Sequence, residues 1–113
     1  MPNPSNWYYL NDMLADVSTA SSVRFVVPSA GYLRKVETTL GGAITGADSV
    51  VTVSHNNTAL SPTITVANSG SAEGDRDSAG FFRAVAAGDW IEVATGGEST
   101  GTQQLGITLT LSG

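Results

Sequence analysis

No cysteine occurs in the 113 residues, so a disulfide scaffold, a thiolate metal site and a cysteine nucleophile are all excluded. Charge is scarce as well. Charged residues make up 13% of the chain, about half of the roughly 25% in an ordinary globular domain. Five scattered cations (Arg24, Arg34, Lys35, Arg76 and Arg83) face ten acidic side chains, for a formal net charge of −5. That balance offers no basic stripe for nucleic acid and no attraction to anionic lipid headgroups. No run approaches the ~18 apolar residues that span a bilayer. The first ten residues lack the basic start and apolar run of a secretory signal, so synthesis and initial folding in the cytoplasm are expected. His55 is the only histidine, and a Ser-His-Asp triad would have to use it. It stands before Asn56-Asn57 in a turn signal, with no G-x-S-x-G context in the chain, and reads as a surface turn residue.

What replaces the missing charge is Ser, Thr and 13 Gly, with 41% hydrophobic residues. The length suits one domain around one core. A surface poor in lysine and rich in small polar residues suits packing against neighbours. From residue 22 onward the apolar positions recur with period two. Val23-Arg24-Phe25-Val26-Val27, Tyr32–Leu40, Ser49–Ser54, Thr63–Ala67, Phe81–Val85, Trp90–Ala94 and Leu105–Ser112 all read as strands. In the second, Tyr32, Val36 and Leu40 are expected on one face, with Lys35, Glu37 and Thr39 on the other. The last is the clearest, with Leu105, Ile107, Leu109 and Leu111 alternating with small residues. Pro28-Ser29-Ala30-Gly31, His55-Asn56-Asn57-Thr58 and Ala87-Gly88-Asp89 are turn signals, and 68–80 reads as a long loop. About seven or eight half-buried strands with frequent turns predict an all-β fold, an antiparallel β-sandwich of jelly-roll type.

Residues 1–21 differ from the sandwich proper at 22–113 and read as an extended N-terminal arm. Pro2 and Pro4 disfavour regular structure at the start, and Asn11 or Asp12 is a cap for a short helical turn near 11–16. Trp7, Tyr8, Tyr9 and Leu10 form an apolar cluster that has to be covered, by this domain or by another subunit, which makes them the candidate protein interface. Trp90, out of phase with inward Ile91 and Val93, is a second candidate contact.

Catalytic or metal chemistry has little to stand on. Glu73, Asp75 and Asp77 alternate in the loop as a calcium site does, but Arg76 intervenes and no glutamate follows at the EF-hand distance. Glu37 and Glu92 are conceivable as a glycosidase pair, yet both occupy outward strand positions. No nucleophile–base–orienter set is visible. The reading is no enzyme, no metal and no cofactor.

Three segments carry a resemblance. Arg24–Val36 resembles the "f-x-a-P-x-x-G-x-i-x-k-V" opening of small proteins from tailed-phage structural gene clusters. Leu40–Val53 is similar to their "l-x-g-a-i-t-x-a-d-x-x-v-t-v" segment, and Val85–Val93 to their "v-x-a-G-D-x-i-e-v" turn and strand. The family is that of capsid decoration, or cement, proteins. The resemblance implies a structural virion protein, commonly a homotrimer, that binds the outside of a phage head and cements neighbouring copies of the major capsid protein. The alternative is a carbohydrate-binding or tail-fibre-type accessory module on the same fold, in which Trp90 stacks on sugar.

Overall fold

The computed structural model describes residues 7–112. Among these the regular structure is entirely β: β1 (Trp7–Leu14), β2 (Ser21–Val26), β3 (Gly31–Leu40), β4 (Ser49–His55), β5 (Thr58–Ala59), β6 (Ile64–Val66), β7 (Arg76–Val85), β8 (Trp90–Thr95) and β9 (Leu105–Ser112). They form two antiparallel sheets. Sheet A has the order β1-β9-β3-β7, and sheet B the order β2-β8-β4-β5. β6 also pairs with β4, so the place beside β4 is shared by two short strands. Successive strands cross from one sheet to the other except around β4–β6, which is the winding of a jelly roll.

Alternation decides which residues meet between the sheets. Leu105, Ile107, Leu109 and Leu111 of β9 are all buried, as are Val51 and Val53 of β4 and Ile91 and Val93 of β8. β9 is flanked on both sides, by β1 and β3, so its apolar face is fully enclosed. Burying each such side chain stabilises the fold by about 2 kcal/mol. The turns follow local chemistry. Asn56 and Asn57 link β4 to β5 with φ of 48° and 73°, the left-handed pair of a tight hairpin, and Asn tolerates that conformation better than most residues.

Four features differ from the expectations drawn from the sequence. First, the described part of the 1–21 arm is not separate from the sandwich. Residues 7–14 are the edge strand β1, paired with β9 from Trp7↔Ser112 to Leu14↔Leu105, and Leu14 and Val17 are core residues. Residues 1–6 of that arm lie outside the described residues. Second, 11–14 is strand and not the start of a helical turn, because the inward side chains of β1 pack on the core. Third, the 68–80 loop is shorter than expected, since β7 begins at Arg76 and pairs with the far end of β3. Fourth, Tyr32 does not share a face with Val36. A bulge between Leu33 and Lys35 inserts one extra residue, Arg34, against β9. Two residues then oppose one, and the phase of the strand changes across the bulge. Leu33 and Val36 both point inward, leaving Tyr32, Arg34 and Lys35 on the outer side.

Candidate functional site

Next to the bulge, sheet A carries an exposed cluster of aromatic side chains. On the outer face of sheet A, Trp7 of β1, Ser112 of β9 and Tyr32 of β3 stand side by side in register, followed by Tyr9, Thr110 and Lys35. The small side chains of Ser112 and Thr110 are covered, so the polar face of β9 is the floor of an aromatic layer. Phe82 of β7 stacks on Tyr32, with ring centroids 4.5 Å apart and planes within 6°. The Arg34 guanidinium lies 5.2 Å from the centroid of Trp7 and 5.0 Å from that of Phe82. Each cation–ring contact at an exposed site contributes about 0.5–1 kcal/mol, enough to hold the rings in place before anything binds. Despite this packing Phe82 is 70% exposed, Tyr9 62% and Trp7 45%. Four of the chain's eight aromatic residues are therefore gathered at one end of one face, a concentration that marks a contact surface.

The cluster Trp7, Tyr8, Tyr9 and Leu10 is split by the strand. Trp7 and Tyr9 face outward into the aromatic layer, whereas Tyr8 and Leu10 turn toward the core. The Tyr8 hydroxyl donates to the Ser29 carbonyl at 3.0 Å and ties β1 to the β2–β3 turn. Trp90 is not part of this site. It is half-buried on the outer face of sheet B beside exposed Val26, with the Arg24 guanidinium 5.5 Å from its ring centroid. Its Nε1 is buried and meets no acceptor among the described residues. Tyr32, Arg34 and Phe82 were not singled out by the sequence. Their signal is that large outward side chains recur on two neighbouring strands, which becomes visible only once the pairing is known.

An open cleft of ≈ 650 Å³ runs around the edge of the same end, lined by Ala59, Leu60, Ser61, Gly80, Phe81, Phe82 and Arg83. Phe82 borders both the platform and the cleft. Behind the cleft lies a relay. Arg83 Nε donates to His55 Nδ1 at 2.9 Å, and His55 Nε2 lies 2.8 Å from Asp89 Oδ2. Arginine has no acceptor, so Nδ1 must be the bare nitrogen and Nε2 carries the proton given to Asp89. His55 is thus a buried strand residue and not a surface turn residue. It is the last inward position of β4, after Val51 and Val53, and the turn proper starts at Asn56. The relay contains no serine, and it holds an arginine rather than activating a nucleophile.

Asp89 is held well below its ordinary carboxylate value of 3.8, to about 2, first by the Ala86 N–H and then by hydrogen bonds from His55 and Asn56. A carboxylate with a depressed folded pKa contributes stability that is present above its unfolded pKa and lost as pH falls through the folded one. Asp77 works in the opposite direction, raised by burial and by Asp75. The comparison of wild type with Asp89→Asn therefore isolates the Asp89 effect. The variant should unfold at a lower temperature than wild type near neutral pH, and the gap should close between about pH 4 and about pH 2. Thermal unfolding followed across that range checks it, and a gap that does not change with pH would contradict it.

The other acidic candidates do not assemble. Glu37 pairs with Lys35 on sheet A and Glu92 with Arg24 on sheet B, each at 3.5 Å, so the two glutamates face away from each other across the sandwich. Asp75 accepts from the Ala72 N–H within its own loop. Among the described residues no three His, Asp or Glu side chains cluster as metal ligands.

No family model matches the chain, and no curated protein does. Solved structures do. A family 35 carbohydrate-binding module from Clostridium thermocellum superposes with a TM-score of 0.54 at 10% identity, over 97% of this chain and 95% of that one. The module CsCBM6-3 from Clostridium stercorarium, solved with cellobiose, gives 0.55 at 14% identity over 88% and 72%. The catalytic unit of a GH87 alpha-1,3-glucanase from Streptomyces thermodiastaticus gives 0.55 at 15% identity over 95% of this chain, which spans only 26% of that much longer protein. The likeness is one of fold. It agrees with the two-sheet antiparallel sandwich and leaves the ligand to the chemistry of the surface.

Proposed function

We infer that the chain is a non-catalytic binding module whose aromatic platform on sheet A engages carbohydrate. The observation that carries this reading is the layer Trp7, Arg34, Phe82 and Tyr32, preassembled by stacking and still open to solvent. A sugar ring presents a face of C–H groups with slight positive charge, which suits the negative face of an aromatic ring. Arg34 supplies donors for hydroxyl groups at the same place. Because the rings are already held, little ordering cost opposes binding. The sandwich neighbours that are themselves named carbohydrate-binding modules support this reading over others.

The test is affinity electrophoresis of the chain through soluble neutral polysaccharides, namely β-glucan, xylan, mannan and dextran. At least one should retard the wild type. The double variant Trp7→Ala/Phe82→Ala should lose about tenfold or more in affinity, from two stacking contacts at roughly 1 kcal/mol each. Retardation by none of the four would sink the reading.

A second reading, a phage-head cement protein bound to major capsid protein, has its own observation. Bridging two neighbours requires two contact surfaces, and an aromatic–arginine patch is present on each outer face, Trp7 with Arg34 on sheet A and Trp90 with Arg24 on sheet B. In that reading the module is a homotrimer on the virion surface, and binding to capsid lattices depends on Trp90 as well as Trp7. The carbohydrate reading needs only one face.

A further inference from the structure

We propose that the cleft beside β7 is a second subsite, which takes the carboxylate of an acidic sugar with Arg83 as its anchor. This rests on the carbohydrate reading of the platform and names the substrate class. Three observations carry it. The first is the state of Arg83. Its Nε–H is committed to His55, and among the described residues no acceptor engages its two Nη groups and no carboxylate pairs with it directly. A guanidinium fixed at one end, with its two-pronged end open to a cleft, has the geometry for bidentate recognition of a carboxylate.

The second is the support behind it. Asp89 fixes the His55 ring, and His55 fixes Arg83, so the anchor is aimed before a ligand arrives. The negative charge of Asp89 is turned toward His55, Asn56 and the Ala86 N–H rather than toward the cleft. Lysine in place of arginine could not make this arrangement, because its three N–H donors radiate from a single nitrogen and cannot present a planar fork to a carboxylate while one of them is held by His55.

The third is charge placement. The chain carries net −5, yet three of its five cations, Arg34, Lys35 and Arg83, stand at the platform end of sheet A. Of these, Lys35 is paired with Glu37. The loop acids Glu73 and Asp75 lie at the opposite end of β3, beyond Leu40. An anionic ligand is drawn to this end in spite of the overall charge. Phe82 joins the two subsites, and Gly80, where an added Cβ would meet nothing within 4 Å, leaves the wall between them open. One sugar ring on the platform thereby places its neighbour at the β7 edge.

The experiment measures binding of cellobiouronic acid and of cellobiose by calorimetry to the wild type, Arg83→Gln, Arg83→Lys and Trp7→Ala/Phe82→Ala. The wild type should prefer the acid by at least ~10-fold, the size expected of a charge-assisted bidentate contact. Arg83→Gln should abolish that preference while leaving cellobiose binding unchanged, and Arg83→Lys should restore only part of it. Trp7→Ala/Phe82→Ala should weaken both ligands equally. An acid preference that is absent in the wild type or survives in Arg83→Gln, with each variant's unfolding midpoint confirming that it is folded, overturns the proposal and leaves the platform reading standing. Displacement of the acid by equimolar inorganic phosphate would also overturn it, because the site would then recognise charge and not a sugar acid. Loss of cellobiose binding in Arg83→Gln would overturn it too, as Arg83 would then belong to the platform. If neither ligand responds to Trp7→Ala/Phe82→Ala while Arg83→Gln still removes the acid preference, the platform reading fails and the Arg83 subsite stands.

Discussion

A chain begun at Asp16 is expected to lose most of its cooperative stability. An appended arm could be removed without cost to the fold, but an edge strand cannot. Truncation there takes away Leu14, which is fully buried, and the partly buried Tyr8 and Leu10 that pack on the core. At about 2 kcal/mol for a buried leucine and less for the other two, the apolar loss is roughly 3–5 kcal/mol. The β1–β9 ladder goes with it. Domains of this size have about 5–15 kcal/mol in all. The truncation also turns β9 from an interior strand into an edge whose inner face is wholly apolar, an invitation to edge-to-edge association. Thermal unfolding and light scattering of the truncated chain should show a midpoint lowered by well over about 10 °C, or aggregation before unfolding. A truncation ending before Trp7 keeps the whole ladder. If the chain begun at Asp16 matched the wild-type midpoint, β1 would be a dispensable arm after all.

That β1 escaped the sequence reading has a physical cause. A half-buried strand is legible when its outward residues are polar, as in β9, where Gly106 and Thr108 separate apolar neighbours. In Trp7-Tyr8-Tyr9-Leu10 both faces carry large apolar side chains, so the alternation vanishes. The outward half of that run is the platform, and the inward half is core. The site thus hid the strand that carries it. The same holds for β3. A bulge leaves no mark in a list of apolar positions, and strict alternation from Val36 put Tyr32 on the wrong face. His55 was obscured in another way. A histidine beside Asn56-Asn57 looks like part of a turn, and only the inward phase of β4 and the partners across the sandwich reveal it as buried. The core of β8 and β9 could be read because one period governs the whole of each strand.

These failures coincide with the proposed binding surface for one reason. A binding face needs exposed rings and an off-phase arginine, and both break the patterns by which a fold announces itself. The Asp89 turn shows the converse. Gly88 takes φ of 90°, Asp89 closes the turn on the Ala86 N–H, and the same carboxylate steadies His55. A turn legible as a turn also holds the relay behind the cleft.

Deleting Arg34 should cost the fold about as much as replacing it by alanine, and far less than emptying the Leu33 site. Arg34 is the extra residue that lets Leu33 and Val36 both face the core, three positions apart on a strand of period two. On either side of it the partners on β9 are consecutive, Leu33 with Leu111 and Lys35 with Thr110. A chain lacking Arg34 therefore pairs with β9 in unbroken register, and strict alternation still turns Leu33 inward and Tyr32 outward. On the other side β7 sets two residues, Phe81 and Phe82, against Arg34, and losing that one residue leaves an even number, which keeps the faces as well. What both variants lose is the pair of ring contacts made by Arg34, about 1–2 kcal/mol. Leu33→Ala instead empties a fully buried site, which costs about 3–5 kcal/mol by the behaviour of leucine sites in cores. Denaturant unfolding should rank Leu33→Ala well below the deletion and Arg34→Ala, with those two close together. Near-ultraviolet circular dichroism should report partial retention of the aromatic signal in the deletion and in Arg34→Ala, because Tyr32 and Phe82 stay on the outer face. A deletion as damaging as Leu33→Ala would mean that Leu33 had left the core, and that the faces of β3 are not set by its register with β9.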